Sequence, residues 1–510
     1  MGKRKIAVVG STGGNLFSQG GRAVRILLDR IESEGLSWDC EISRIVFLCA
    51  DQSLDNVRDQ APAYLLSRGF ESGIGKSTGN LVEVNVAVRN LSNRLADELR
   101  RGEIDALVSI SADPVGVNRE VFEAAKVKRI PIVASGASSV AWIKAMGCHV
   151  VYSTGTTGTT ADLRAINYMA ALSRFWQNKP GTAVTGRLSK ALKQMSFGFE
   201  SWCLPYFLVI VILKSLTDYG INAVVPVYDG LTRFSALIAC VAVSRSHLRA
   251  PGIGMAVVMS LGIIASVTGS GFIGGTVAGL AGAILLNVVV YTLAGRKMPG
   301  SAMSLLVYLL AVVPLCAALL SAGKYLFQLN QIIIWAVLAL YGSKLFWIGF
   351  VVGAAFWPLI EIGLYHRLIL PLILLEIGTR GASVMGAFDL VCLVAPAVGA
   401  GLAALLLARD RVSECLHVLG ETILYGTNVE YVYTFTGKSW GAKICLWILC
   451  GAAGLCICRF KLSGVGYLPV FLVPLLVQNG KLLAVLIAAV SVSTGVYFSI
   501  LSYVKKKLEL

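Results

Sequence analysis

The chain has 510 residues, 56% of them hydrophobic, and a mean hydropathy of +0.72, which excludes an ordinary soluble protein and makes most of it membrane-embedded. Its formal charge of +16 is uneven: residues 1–177 carry 21 basic and 18 acidic side chains, residues 178–510 carry 24 and 11. The excess therefore lies mostly in the apolar part, where basic residues flank an inner leaflet, and no basic stripe interleaved with aromatics points to nucleic acid.

The first third reads as one α/β domain. Met1-Gly-Lys-Arg-Lys leads into an apolar run too short for a signal core, which predicts a cytoplasmic amino end. Lys5–Gly10 is a strand, followed by a helix over Arg22–Ser33. Arg44–Cys49 is a second strand, and Glu83–Val88 reads as a weaker one. A helix over Leu91–Arg101, a strand over Asp105–Ser111 and a helix over Asn118–Lys126 come next. Arg129–Ser135 and His149–Ser153 are the last strands. Strands alternating with helices predict a parallel, Rossmann-like sheet with helices on both faces.

Four strand ends carry Ser/Thr/Gly loops, at 10–15, 111–116, 135–139 and 153–160. The carboxyl edge of such a sheet is its ligand crevice, and hydroxyls with bare N–H groups at helix amino ends suit an anion. Ser11, Thr12, Gly13 and Gly14 in the first loop, and Ser153, Thr154, Thr156 and Thr157 in the last, are the candidate phosphate ligands. Neither a spaced three-Gly fingerprint nor a P-loop Lys-Ser/Thr is present. The structural alternative is that these are turn and cap residues, which Ser, Thr and Gly favour. Asp113 is a candidate acid or base with no His or Cys placed to work with it.

Residues 178–200 form a linker and an amphipathic helix, Gly186–Phe197, suited either to lie on the inner leaflet or to serve as a solvated linker helix. Residues 201–505 are the membrane domain. About 20 apolar residues cross a bilayer, and ten spans fit: 203–219, 221–243, 252–269, 271–294, 302–322, 331–359, 386–408, 441–458, 464–479 and 481–503. Arg245, His247, Arg249, Arg296, Lys297 and Lys505–Lys507 then fall on the cytoplasmic side. Arg409 and Arg411 fall outside and do not fit that count. The small-residue run Gly269–Ala283 predicts close helix packing, and Asp229 and Arg233, four apart, can pair on one helix face.

Two pieces, 360–380 and 413–436, are short and polar, and are expected as re-entrant hairpins covered by protein or a watery cavity. The first begins within Trp357-Pro-Leu-Ile-Glu-Ile-Gly-Leu-Tyr-His-Arg-Leu-Ile-Leu-Pro371, and the second contains Leu419-Gly-Glu-Thr-Ile-Leu-Tyr-Gly-Thr-Asn428. Ionisable groups at membrane depth normally mark a substrate or ion path. Glu361, His366, Arg367 and Glu421 are therefore the candidate solute ligands. An ion pair of Glu361 with its neighbours, and a helix or hairpin cap at Glu421, are the structural alternatives.

These two pieces, in this order, resemble the enzyme IIC permease of the sugar phosphotransferase system, in its glucose and fructose superfamily. Ile360-Glu-Ile-Gly-Leu-Tyr-His366 with Leu370-Pro371 matches the family's His-containing loop. Glu421, Tyr425-Gly426 and Asn428 fall in register with its later motif, and Phe272–Ala283 resembles its Gly-rich span. The resemblance covers about 200–510. It implies that His366 and Glu421 hold sugar hydroxyls, with Asn428 adding hydrogen bonds or pinning the hairpin, and it implies a homodimer. The sequence departs from the family pattern at Gly420, Thr422 and Arg367. It also shows no IIB module with a phosphocarrier Cys. Ser11 stands where a strand-end Cys would be, and Cys49 is followed by Ala50-Asp51-Gln52 rather than a Gly-rich cradle.

The expected protein is thus a multi-pass inner-membrane sugar permease with a cytoplasmic amino-terminal domain. Any phosphorylation is left to a separate IIB or IIA partner. The alternative is a sensor or enzyme domain for a phosphorylated metabolite, fused to an uncoupled transporter or anchor. The 12 cysteines read as free thiols in a reducing compartment. Cys445, Cys450, Cys456 and Cys458 cluster with no His at ligand spacing, so neither metal nor cofactor is expected.

Overall fold

Ile6 to Val9 are buried completely, which marks their strand as the centre of a sheet covered on both faces. The computed structural model describes residues 3–12, 24–50, 54, 58–70, 74–154, 160–176, 199–340, 347–407, 412–425, 432, 440–465, 472, 476 and 480–508. It divides into two compact units: Met1–Met195 with Arg245–Val257 and Gly282–Pro314, and Ser196–Ser244 with Val258–Ala281 and Leu315–Leu510.

The first unit holds a seven-stranded sheet among the described residues. Its elements in chain order are β1 (Arg4–Ser11), α1 (Val24–Ser37), β2 (Cys40–Ala50), β3 (Pro62–Arg68), β4 (Ile74–Asn80) and α2 (Leu81–Arg101). Then come β5 (Ala106–Ile110), α3 (Arg119–Val127), β6 (Ile132–Ser135), α4 (Ala137–Ala145), β7 (Val150–Thr154) and α5 (Ala161–Trp176). The strand order is β4-β3-β2-β1-β5-β6-β7. Ala7 and Val9 join one core with α2 and α3, while α1 and α5 pack on each other.

Two sequence expectations need correction here. The sheet is mixed, not wholly parallel: β3 pairs antiparallel with β2 and β4. Glu83–Val88 is helical and belongs to α2. Its three valines favour a strand, but Asn80 and Glu83 form a capping box that starts the helix. Leu81, Val84, Val88, Leu95 and Leu99 then recur on one buried face, at helical spacing.

The first unit also takes in the ends of helices from the apolar part. α5 holds them with side-chain bonds to backbone. Asp162 accepts the N–H of Gly252 at 3.1 Å and pairs with Arg30 at 3.0 Å. The Asn167 carbonyl accepts the N–H of Gly295 at 3.0 Å, and its amide reaches the Met303 sulfur at 3.1 Å. The Asn167 amide also donates to Leu163 O at 2.8 Å, which fixes its orientation on α5.

The remaining helices are α6 (Leu204–Asp218), α7 (Val225–Ser244), α8 (Pro251–Val267), α9 (Gly271–Leu293) and α10 (Gly300–Ala339). These are followed by α11 (Ile348–Glu361), α12 (Leu370–Arg380), α13 (Val384–Asp389) and α14 (Ala395–Leu407). The last three are α15 (Val412–Tyr425), α16 (Trp440–Arg459) and α17 (Gly480–Leu508). A π-helical turn, Tyr365–Ile369, precedes α12, and another, Leu390–Val394, joins α13 to α14. Six helices among the described residues are long and apolar enough to cross a membrane: Asn222–His247, Gly271–Leu293, Gly300–Ala339, Val384–Leu407, Trp440–Arg459 and Gly480–Ser502. The expected break between spans 302–322 and 331–359 is absent. Helix α10 runs through Lys324–Asn330 for 40 residues, with Pro314 inside it. Residues 186–197, 409 and 411, and nearly all of 464–479 beyond Val465, lie outside the described residues.

The small-residue run does pack closely. An added Cβ at Gly275 would stand 2.0 Å from the Ala236 carbonyl oxygen on α7, and one at Gly279 would stand 2.3 Å from that of Cys240. The obstacle is backbone, which cannot rotate away. Gly275→Val should destabilise the purified protein by about 2–3 kcal/mol. Gly495→Ala, whose Cβ meets nothing within 4 Å, should melt like wild type. Thermal unfolding in one detergent checks both.

Candidate functional site

The strand-end hydroxyls of the first unit are largely spent on the fold. Ser11 Oγ donates to the Ser111 carbonyl at 2.6 Å, and Thr12 Oγ1 accepts the N–H of Ala50 at 3.0 Å. Ser153 Oγ lies 3.2 Å from the Lys144 ammonium, and Thr154 is buried. The Asp113 carboxylate accepts the N–H groups of Gly116 and Val117 at 2.9 and 3.3 Å, so it closes a turn. Gly13, Gly14, Thr156 and Thr157 lie outside the described residues.

In the second unit, Glu361 ends α11 and pairs with Lys443 of α16 at 3.2 Å. The ion pair foreseen within its own segment is thus made instead to another helix. Arg367 is exposed in the first π-turn, its N–H bonded to the Leu364 carbonyl at 3.1 Å. His366 shares that turn and Glu421 lies on α15. The side chains of both, and Asn428 entirely, are outside the described part.

Two carboxylates that the sequence reading passed over are fully buried: Glu376 and Asp389. Glu376 accepts the N–H of Val384 at 3.0 Å, the N–H of Met385 at 3.1 Å and the Ser383 hydroxyl at 2.6 Å. Ser383 Oγ in turn accepts the N–H of Gly386 at 2.8 Å. Together they satisfy the open amino end of α13, where a negative charge is also favoured by the helix dipole. Ser383 is held by a two-bond bridge to Gly464, 2.9 Å each way. Asp389 accepts the Tyr365 hydroxyl, so the first residue of one π-turn is tied to the residue just before the other. Phe356 packs between, edge-on to Tyr365 and stacked on Phe388. The second π-turn presents the Cys392 carbonyl sideways, to Trp357 Nε1 at 2.9 Å and to the Cys450 thiol at 3.5 Å. Single π-turns within helices concentrate at functional sites.

A cavity of about 690 Å³ opens beside this framework, within the second unit. Its wall includes Asp229 and Arg233 of α7, Phe272 of α9, Asn330 of α10, and Gly378 and Thr379 of α12. Asp229 and Arg233 are exposed on the same helix, and among the described ion pairs none joins them. The pair foreseen for that helix is therefore open to a third group. Asn330 is 1% exposed and its side-chain oxygen has no hydrogen-bond partner. An acid, a base and an unsatisfied amide around an apolar-walled space of this size suit a small polar solute. In comparison with known proteins, no family model matches the chain and no curated protein matches it.

The overlooked carboxylates did carry a signal. Each is a lone acid in an apolar run, Leu370–Ile377 and Val384–Val394, which is the pattern that singled out Glu361 and Glu421. Glu376→Gln presents one N–H₂ group towards donors and should destabilise the protein by about 2 kcal/mol, with Glu376→Ala costing more. Thermal unfolding of the variants measures it. Equal melting of wild type and Glu376→Ala would remove the capping role.

Proposed function

We propose that the chain is a multi-pass carrier of a small hydroxylated solute, a sugar permease similar to the IIC component of the phosphotransferase system, fused to an α/β domain. The observation that carries the reading is the 690 Å³ cavity lined by Asp229, Arg233 and Asn330 among apolar helices. The resemblance adds His366 and Glu421 as hydroxyl ligands, Asn428 as a further donor and acceptor, and Glu361 and Arg367 near the site. In this reading the pieces 360–380 and 413–436 are re-entrant, and Leu204–Asp218, Pro251–Val267 and Ile348–Glu361 join the six long helices as nine of the ten expected spans. The chain works as a homodimer in an inner membrane, and a separate IIB or IIA protein supplies any phosphoryl group.

The side of the α/β domain follows from charge. Arg245, His247, Arg249, Arg296 and Lys297 mark helix ends that belong to the same compact unit as the sheet. The positive-inside bias puts such ends in the cytoplasm, which supports a cytoplasmic amino-terminal domain.

Uptake of a radiolabelled sugar panel into proteoliposomes tests the assignment. Asn330→Ala, Arg233→Gln, His366→Ala and Glu421→Gln should each lower uptake roughly 10- to 100-fold, the cost of one lost polar contact to a buried ligand. Wild-type uptake in all four variants, or no uptake of any sugar by wild type, overturns it.

A further inference from the structure

Arg164 lies in the first turn of α5, at the carboxyl edge of the sheet, and is 3% exposed. Its Nε and Nη1 are buried without a hydrogen-bond partner. The nearest carboxylate in sequence, Asp162, is engaged by Arg30 and by the N–H of Gly252. One turn along α5 from Arg164, the Tyr168 hydroxyl donates to Ser135 Oγ at 2.6 Å, at the end of β6. Burial pushes the Arg164 guanidinium below its ordinary pKa, opposed only by the nearby Tyr168 phenol. Burial pushes that phenol up, against the pull of the Arg164 charge. No carboxylate contributes to the balance at Arg164.

A buried cation without a counter-charge is costly. Such a residue persists where an anion completes it. The end of β6, which Tyr168 reaches one turn along α5, carries donors for one. Gly136 takes φ +102° between Ser135 and α4, and a Cβ there would stand 2.7 Å from Ser111 Oγ, so the ends of β5 and β6 converge on glycine. The nine-residue α4 starts at once from that edge, with bare N–H groups in its first turn. Ser139, in that turn, is buried and its hydroxyl has no partner. A guanidinium N–H donates to a phosphate oxygen as a charge-assisted hydrogen bond.

We propose that the α/β domain binds the phosphate monoester of a small metabolite at this edge, its phosphate on Arg164 and the first turn of α4, with Ser139 as a hydroxyl ligand. The site is separate from the cavity of the second unit, so it stands whether or not that cavity carries sugar.

The test uses the full-length protein in detergent, in phosphate-free buffer. Inorganic phosphate, a hexose 6-phosphate and a nucleoside monophosphate are titrated up to about 10 mM while thermal unfolding is followed, since a ligand of the folded state raises the melting point by mass action. Gluconate serves as the carboxylate arm. Wild type should respond saturably to at least one phosphate compound and not to gluconate. Arg164→Gln should bind at least about tenfold more weakly, and Ser139→Ala several-fold more weakly. With no ligand present, Arg164→Met should melt at or above wild type, because it removes an uncompensated charge. A flat wild-type response to every phosphate compound, a response to gluconate alone, or an unchanged midpoint in both Arg164→Gln and Ser139→Ala overturns the proposal. If Arg164→Gln fails to fold, the Ser139→Ala titration decides.

Discussion

A carboxylate buried away from water has to be met by donors of the protein itself, and much of the second unit is arranged around meeting one. Glu376 is fully buried and takes two backbone N–H groups and a hydroxyl. Those N–H groups are the ones that the first turn of a helix leaves open. One side chain therefore settles its own charge and starts Val384–Leu407, the most deeply buried of the six long apolar helices described. The turn before that helix is pinned by Ser383 to Gly464. Six residues on, Asp389 is met by Tyr365. The acid, the cap and the tie between the two π-turns form one connected set, and breaking any member leaves a polar group stranded at low dielectric.

The first unit solves a different problem with similar means. Loops between apolar helices leave backbone donors at their ends, and α5 supplies acceptors for them. Asp162 takes the N–H of Gly252, and Asn167 takes that of Gly295. Added Cβ atoms at these two glycines would stand 2.7 Å from Thr160 and 2.9 Å from the backbone of Ala171, so neither position tolerates a larger residue without movement. A helix that begins at the carboxyl edge of the sheet thus also secures the ends of apolar helices. Anything that shifts α5 at one end is felt at the other, because Arg164 lies between Asp162 and Asn167 on a single rigid element.

Much of the sheet was legible in the chain. β1, β5 and β6 carry apolar runs buried on both faces, and β2 carries one over Ile45–Ala50. The β3–β4 hairpin was not, because Pro62–Arg68 and Ile74–Asn80 mix Ser, Gly, Lys and Arg with few β-formers. Glu83–Val88 misled through its valines, where the capping box at Asn80 decided for helix. In the apolar half, Lys324 and the polar residues up to Asn330 looked like a loop and are helix. Asn330 now forms part of a cavity wall. Of the foreseen ligands, Glu361 is spent on Lys443, a partner 82 residues away that no local pattern reveals. Glu376 and Asp389 were hidden among their apolar neighbours, although the rule that flagged Glu361 applied to them equally.

What separates a structural charge from a ligand-binding one is whether the protein completes it. Glu376 is completed several times over, and Glu361 once, so neither has need of a solute. Arg164 buries Nε and Nη1 with nothing opposite, and Asn330 buries an amide oxygen with nothing opposite. Each sits where an outside group can arrive: Arg164 at the edge of the parallel strands, Asn330 in the wall of a 690 Å³ space. An unmet buried polar group costs the folded state about 1–3 kcal/mol, and a buried charge more. A ligand that met such a group would return that energy as affinity. By this measure Arg164 and Asn330 are among the described groups that the fold leaves unsatisfied.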